Sequence, residues 1–253
     1  MNNRRETIQL LETERSEGVS LPPFSIIIPI HNESAILSDC LGRLVKEFGA
    51  LNSPYELILC ENGSTDNTFD LAQQFQRTHP QIRLERLETA NYGLALKHAI
   101  ALSREEFAVI FNIDFWNTEF AREALHRLTD ADLVIGSKTL AGSVDQRPWF
   151  RRVITRNFNA FLHLFFDFRG TDTHGMKAFR TKPLRDILDV CVTDHFIFDT
   201  ELVLRAQRKK IRITEIPVHV REVRQPGYLS LVRRTPEVIW NLTKLWFTLR
   251  QNP

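Results

Sequence analysis

A single-domain, doubly wound and mostly parallel α/β sheet is the fold class this sequence predicts, on two observations. Three apolar runs in the first half each end in a compact polar cluster: Ser25 to Pro29 before His31-Asn32-Glu33, Leu57 to Leu59 before Glu61 to Asp66, and Ala108 to Phe111 before Asn112-Ile113-Asp114. Short β-branched and leucine-rich runs bounded by turn residues read as strands covered on both faces. Strand and helix patterns then alternate as βαβαβαβαβ, which implies parallel pairing with right-handed crossovers.

The elements follow in order. After a strand at Ser25 to Ile30, apolar residues at 36, 37, 40, 41, 44, 45 and 48 repeat at helical spacing and define one buried stripe. A second strand, Glu56 to Cys60, enters the loop Glu61-Asn62-Gly63-Ser64-Thr65-Asp66, after which Phe69, Ala72 and Phe75 mark a helix. Gln81 to Leu87 reads as a strand, Leu94 to Leu102 as a helix, Phe107 to Phe111 as a strand, Thr118 to Leu128 as a helix and Leu133 to Ser137 as a fifth strand. The second half is less regular. It predicts a basic helix over Trp149 to Phe166, a short strand near Met176 to Arg180, helices from Pro183 and over Asp199 to Lys209, and an edge strand at Arg212 to Val220. Residues 1–22 read as an N-terminal extension, 23–228 as one domain and 229–253 as a basic amphipathic helix.

Composition narrows the function classes. At 253 residues, 43% hydrophobic and 25% charged, the chain is an ordinary globular one. A formal net charge of +2 gives no argument for a nucleic-acid partner, so any basic function comes from local clustering. Cys40, Cys60 and Cys191 are widely spaced in apolar surroundings and read as buried thiols of a reducing compartment. Neither a secretory signal nor an apolar stretch of about 20 residues is expected, which points to a soluble or peripheral protein.

In an open α/β sheet, ligands collect beyond the carboxyl ends of the strands. Carboxylates and amides placed there can read a nucleoside and hold a metal against a diphosphate. Each cluster alone also suits a turn or a helix cap. Three in register favour a nucleotide-diphosphate site, with Asn32, Glu61 and Asp114 expected along one rim.

The ordered segments SIIIPIHNE, CENGSTDNT, NYGLALKHAI, FNID, GSK, RRVITRNFN, GMKAFR and FDTELVLRA resemble glycosyltransferase family 2, and within it the polyprenyl-phosphate sugar synthases. The likeness runs from about Phe24 to about Gly227. It implies the type A nucleotide-sugar transferase fold and metal-assisted, inverting transfer of a hexose from GDP-mannose or UDP-glucose to a polyprenyl or dolichyl phosphate. On the donor side it places Pro29, His31, Asn32 and Glu33, then Glu61, Asn62 and Gly63, with Lys97 of the NYGLALKHAI segment. His31 stands where the family usually has Tyr, and Glu61-Asn62 replace two aspartates. Asn112 and Asp114 occupy the DxD metal position and imply Mg2+ or Mn2+, bound weakly because one carboxylate has become an amide.

On the acceptor side the resemblance assigns Lys138, Arg151, Arg152, Thr155, Asn159 and Arg224, with Asp114, Lys138, Arg152 and Arg224 carrying the chemistry. Arg152, Thr155 and Asn159 share one helix face and can converge on an anion, for which the planar guanidinium is suited. Asp172, Gly175 and Lys177 resemble the family's Asp…Gly-Phe-Lys turn with one residue fewer between Asp and Gly. Phe198-Asp199-Thr200-Glu201 matches its Phe-Asp-x-Glu signature. A phosphate nucleophile is already anionic and needs no general base.

From Arg221 to Pro253 stand six basic and two acidic residues among Trp240, Trp246 and Phe247. That composition suits either an anionic membrane surface or packing on the sheet. The resulting expectation is a cytoplasmic protein, peripheral on the cytoplasmic face of a membrane or held there by an anchoring subunit. Two alternatives stand beside it: transfer to a polysaccharide or metabolite hydroxyl, with Asp194 or Asp199 as base, and a nucleotide-sugar-binding pseudoenzyme, suggested by Asn62 and Asn112.

Overall fold

The computed structural model describes residues 21–220 and 228–251. The expected N-terminal extension falls almost wholly outside the described residues, as do Arg224 and Gly227. Seven strands form one sheet in the order β3-β2-β1-β4-β7-β5-β8. They are β1 (Phe24–Ile30), β2 (Tyr55–Asn62), β3 (Ile82–Leu87), β4 (Phe107–Ile110), β5 (Leu133–Ser137), β7 (Lys177–Arg180) and β8 (Ile213–Pro217), while β6 (Val144–Asp145) and β9 (His219–Val220) make a separate two-stranded ribbon.

Alternation along the central strands decides which layer each side chain enters. Phe24, Ile26, Ile28 and Ile30 of β1 pack under α1 (Leu37–Gly49), α2 (Thr68–Thr78) and α4 (Thr118–Arg127). Ile27 of β1, with Ile58 and Cys60 of β2, faces the other layer. That layer holds α3 (Tyr92–Leu102), α5 (Trp149–Phe166), α6 (Thr181–Leu188), α7 (Phe198–Arg208) and α8 (Tyr228–Gln251). The stripe expected on α1 is buried at Leu37, Cys40, Leu41, Leu44 and Phe48. All three cysteines are free and buried. Burial and the nearby carboxylates of Glu85 and Glu61 push the Cys60 thiol up to about 12.

Two expectations change, and a third gains a direction and neighbours. The edge strand over 212–220 divides at Val218, with β8 pairing with β5 and β9 with β6. Helix α6 begins at Thr181 rather than Pro183, because a proline in the first turn forfeits no intrahelical hydrogen bond. The short strand near 176–180 is β7, inserted antiparallel between β4 and β5. The chain reaches that slot by passing Gly175 tightly over β5, where a Cβ would lie 1.9 Å from the Gly136 carbonyl oxygen.

Helix α8 packs on the sheet layer through Leu242, Leu245 and Leu249 while exposing Ile239, Trp240 and Phe247. Of the two expectations for this segment, packing on the sheet is what these leucines make, and the opposite side of the same helix is apolar and exposed. Among the described residues, no helix is long and apolar enough to cross a membrane.

The Gly175 contact generates a prediction. Gly175→Ala should destabilise the protein by about 2 kcal/mol or more by forcing β7 away from β5, read as a lower melting temperature.

Candidate active site

Strands β2, β1 and β4 are parallel neighbours, so their carboxyl ends lie along one edge of the sheet. The winding reverses between β1 and β4, which is where an open α/β sheet leaves a crevice. The clusters that follow β1 and β2 are stitched together. The backbone N–H of Asn32 donates to Ser64 Oγ at 2.9 Å, and Asn32 Oδ1 accepts from the Thr65 N–H at 2.8 Å. Glu33 N–H donates to Thr68 Oγ1 at 2.7 Å and Ser34 N–H to Asp66 at 3.1 Å. Asn32 takes a left-handed conformation, φ 55°, to make these contacts. Although some desolvation works against it, the exposed Asp66 carboxyl is held well below the usual carboxylate range by hydrogen bonds from Ser34 and Thr68.

Glu61 is fully buried. Its Oε1 accepts from the Ser64 N–H at 2.5 Å, and its Oε2 faces Arg86 Nε at 3.3 Å, with the Arg86 guanidinium 4.2 Å from the Phe69 ring centre. Gly63 is obligatory: its φ is +66°, and a Cβ would sit 2.6 Å from the Ala90 nitrogen. Asn62 bridges three segments. Its Nδ2 donates to the Ile30 carbonyl at 2.9 Å, its Oδ1 accepts from the Asn91 N–H at 3.0 Å, and its own carbonyl lies 2.9 Å from His31 Nδ1.

After β4, Asn112 and Phe115 close a tight turn through paired backbone hydrogen bonds of 3.3 and 3.1 Å. Helix α4 is capped by Asn117 Oδ1, which accepts from the Phe120 N–H at 2.8 Å. Capping is therefore the work of Asn117, and Asp114 stands in the turn ahead of it. Among the described residues, no group of three or more His, Cys, Asp or Glu could hold a metal by itself.

The acceptor candidates sit at the ends of β5 and β7. Lys138 does not stand open: its ammonium donates to Asp172 Oδ2 at 2.6 Å, both side chains nearly enclosed. Burial works against the ionised carboxyl, yet Lys138 and the His174 N–H hold Asp172 below the usual carboxylate range. Beside this pair, Lys177 donates to Asp199 at 2.6 Å, and burial together with the nearby Asp199 carboxylate suppresses ionisation of the Tyr92 phenol. The three-residue face of α5 does not converge on an empty centre. Asn159 Nδ2 donates to the Thr171 carbonyl at 2.5 Å, Thr155 Oγ1 accepts from Arg147 at 3.2 Å, Arg151 is half-buried, and Arg152 is exposed.

Lys97 is likewise placed differently from expectation. Its ammonium reaches Asp194 at 2.6 Å and the Cys191 carbonyl at 2.9 Å, fastening α3 to the loop between α6 and α7. Sequence reasoning missed Tyr92, Asp172 as the partner of Lys138, Arg147 and Glu215. Glu215 accepts from the Thr171 N–H and hydroxyl at 2.7 Å each. Little in the sequence marks these residues, because Asp172 and Glu215 meet partners tens of positions away, and Arg147 joins Asp145 and Thr155 only once the ribbon turns into α5.

Residues 25–188 match the family described as Glycosyl transferase family 2, and the chain belongs to that family. Two relatives are dolichyl-phosphate beta-glucosyltransferases, from Dictyostelium discoideum (28% identity, 79% of this chain, 66% of the relative) and Saccharomyces cerevisiae (26%, 79% and 67%). Glycosyltransferase AglD of Haloferax volcanii is 26% identical over 90% of this chain, which spans only 38% of its length. The chain therefore corresponds to about two thirds of the glucosyltransferases' length and well under half of AglD's. Among solved structures, glucosyl-3-phosphoglycerate synthase from Mycobacterium tuberculosis, in complex with Mn2+, UDP-glucose and phosphoglyceric acid, superposes with a TM-score of 0.65 at 17% identity, covering 92% of this chain and 82% of that one. The mannosyltransferase PcManGT of Pyrobaculum calidifontis, in complex with GDP-mannose and Mn2+, gives 0.57 at 20% identity, covering 88% and 66%. The architecture is the type A nucleotide-sugar transferase fold.

The Lys138–Asp172 pair makes a prediction with a defined sign. Lys138→Met strands a buried carboxylate and should cost about 3 kcal/mol at neutral pH. Because the folded-state pKa of Asp172 is depressed, the pair's contribution is present above the unfolded pKa and lost as pH falls through the folded one. The wild-type advantage in melting temperature should accordingly close below about pH 4.

Proposed function

We propose that this chain transfers a hexose from a nucleoside-diphosphate sugar to a polyprenyl phosphate, with inversion at the anomeric carbon. Glucose is the favoured sugar and dolichyl phosphate the favoured acceptor class, on the names of the two glucosyltransferase relatives. One observation carries the reading: the first turn of α3 joins the donor rim to the acceptor cluster. Asn91 N–H is bonded to Asn62, and the next residue, Tyr92, lies beside the Asp199 carboxylate and is stacked 6.3 Å from Phe196. Phe196 in turn offers its carbonyl to His174, two residues from Asp172. A nucleotide sugar lying on the rim would thus present its anomeric carbon toward the basic side of the sheet end.

A phosphate acceptor agrees with the carboxylates at hand. The two candidate bases for a hydroxyl acceptor, Asp194 and Asp199, are already bound to Lys97 and Lys177 at 2.6 Å. With an anionic nucleophile, the protein's task is alignment and charge stabilisation. Arg152, exposed on α5, and Arg224 are the cations proposed to grip the acceptor phosphate, with Lys138 and Arg151 behind them. The Asp114 carboxylate and the Asn112 amide oxygen fit a divalent ion of the Mg2+ or Mn2+ kind, since such ions take one or two protein oxygens and complete their shell with substrate phosphates and water. When bound, the ion would offset the charge of the leaving nucleoside diphosphate.

Association with a membrane surface is proposed from the apolar outer faces of two helices. Trp149 is 70% exposed and Leu164 77% exposed on α5, and Trp240 is 71% exposed on α8. Arg152 and Arg156 stand among the exposed residues of α5. Such faces suit an acceptor whose phosphate sits at a bilayer surface.

A matrix of labelled UDP- and GDP-sugars against polyprenyl phosphate with Mn2+ tests the proposal. The expected result is organic-extractable label with one donor, and no label with any donor would overturn it. Arg152→Ala should leave the melting temperature unchanged and reduce turnover at low acceptor concentration by about 10-fold to 100-fold, the value of a charge-assisted hydrogen bond.

A further inference from the structure

We propose that Asn62 is a positioning residue whose amide locks the ends of β1 and β2 and the start of α3 into one rigid donor rim, and that an acid in its place would break that lock. This inference rests on the transferase reading only for its kinetic consequence. The geometric case stands alone. Ile30 offers a carbonyl, which can only accept, and Asn91 offers an N–H, which can only donate. The side chain between them must therefore present one donor and one acceptor at 2.9 and 3.0 Å, and an amide supplies both. An ionised aspartate has acceptors only, so its second oxygen would face the Ile30 carbonyl oxygen in a site where residue 62 is 5% exposed.

The lock reaches the residues proposed to meet the nucleotide. The Asn62 carbonyl fixes His31 at Nδ1, and His31 Nε2 lies 3.1 Å from Asn32 Nδ2. With Nδ1 protonated toward Asn62, Nε2 accepts from that amide, which leaves Asn32 Oδ1 turned to Thr65. On the other side, Asn91 caps α3 through the Leu94 N–H at 3.0 Å and carries Tyr92 toward Asp199. The amide at position 62 thus ties the end of β1 to the start of α3 across the end of β2, and its replacement of an acid is a structural adaptation rather than a lost ligand.

The test compares wild type, Asn62→Asp and Asn62→Ala by thermal melting at pH 8 and pH 5, by binding of UDP and GDP with Mn2+, and by donor kinetics. A carboxyl at this position has a raised folded-state pKa, so its penalty is present at high pH and fades as protonation restores a donor toward Ile30. Asn62→Asp should melt about 5 °C below wild type at pH 8 and within about 2 °C at pH 5, whereas Asn62→Ala should lose a similar amount at both. At pH 8 the aspartate variant should raise the donor KM or the nucleotide Kd about 10-fold with kcat within about twofold, the split expected when binding geometry alone is lost. Equal melting of wild type and Asn62→Asp at both pH values would overturn the proposal. So would a melting shift with unaltered nucleotide affinity, or a switch between UDP and GDP at unaltered stability, which would make Asn62 a direct reader of the base. Should no donor support turnover, the transferase reading fails while the melting and nucleotide-binding measurements still decide the role of Asn62.

Discussion

Covering a parallel sheet on both faces leaves its end as the one place where polar chemistry can gather, and that constraint organises this molecule. Ile26, Ile27 and Ile28 of β1 are fully buried, as are Leu57, Ile58 and Leu59 of β2. The apolar run is unbroken from Ile26 to Ile30 in β1 and from Leu57 to Cys60 in β2, and polar groups gather at the carboxyl ends that follow. There they appear together, because backbone donors and acceptors that leave the sheet ladder still need partners in a crowded place. Asn32, Ser64, Asp66 and Asn62 meet that need with side chains, and the same bonds set the shape of the rim.

The other end of the crevice, where the acceptor is proposed to sit, is built on a different principle. Lys138 with Asp172 and Lys177 with Asp199 are enclosed ion pairs, an arrangement whose value lies less in net stability than in fixing where charges sit. Their contacts run on to Tyr92, His174 and Phe196, so the two ends of the crevice share a single framework. Rigid charge placement of this kind suits the phosphate acceptor proposed above.

Much of the fold was legible because periodicity reports burial. The basic helix read as Trp149 to Phe166 has those limits in the structure, and the stripe on α1 is buried where its spacing placed it. The polar clusters closing the apolar runs pointed to the strand ends, and the structure brings the clusters after β1 and β2 into direct contact. The antiparallel insertion of β7 was not legible, since a four-residue strand carries no sign of its direction or neighbours. Lys97 and Lys138 were assigned from motif position, whereas their partners, Asp194 and Asp172, depend on tertiary approach across distant loops. Asn62 looked like a lost acid because a sequence shows which residue is present and not that it must donate to Ile30 and accept from Asn91.

The two border strands of the sheet have their own consequence. Strand β3 carries Arg83, Glu85 and Arg86, and β8 ends at exposed Pro217, which has no N–H to offer. Charge and proline at open borders discourage strand-to-strand stacking between molecules. Self-association in concentrated solution should therefore run through the greasy helix faces, and a mild detergent rather than a change of salt is the additive that would keep preparations monodisperse.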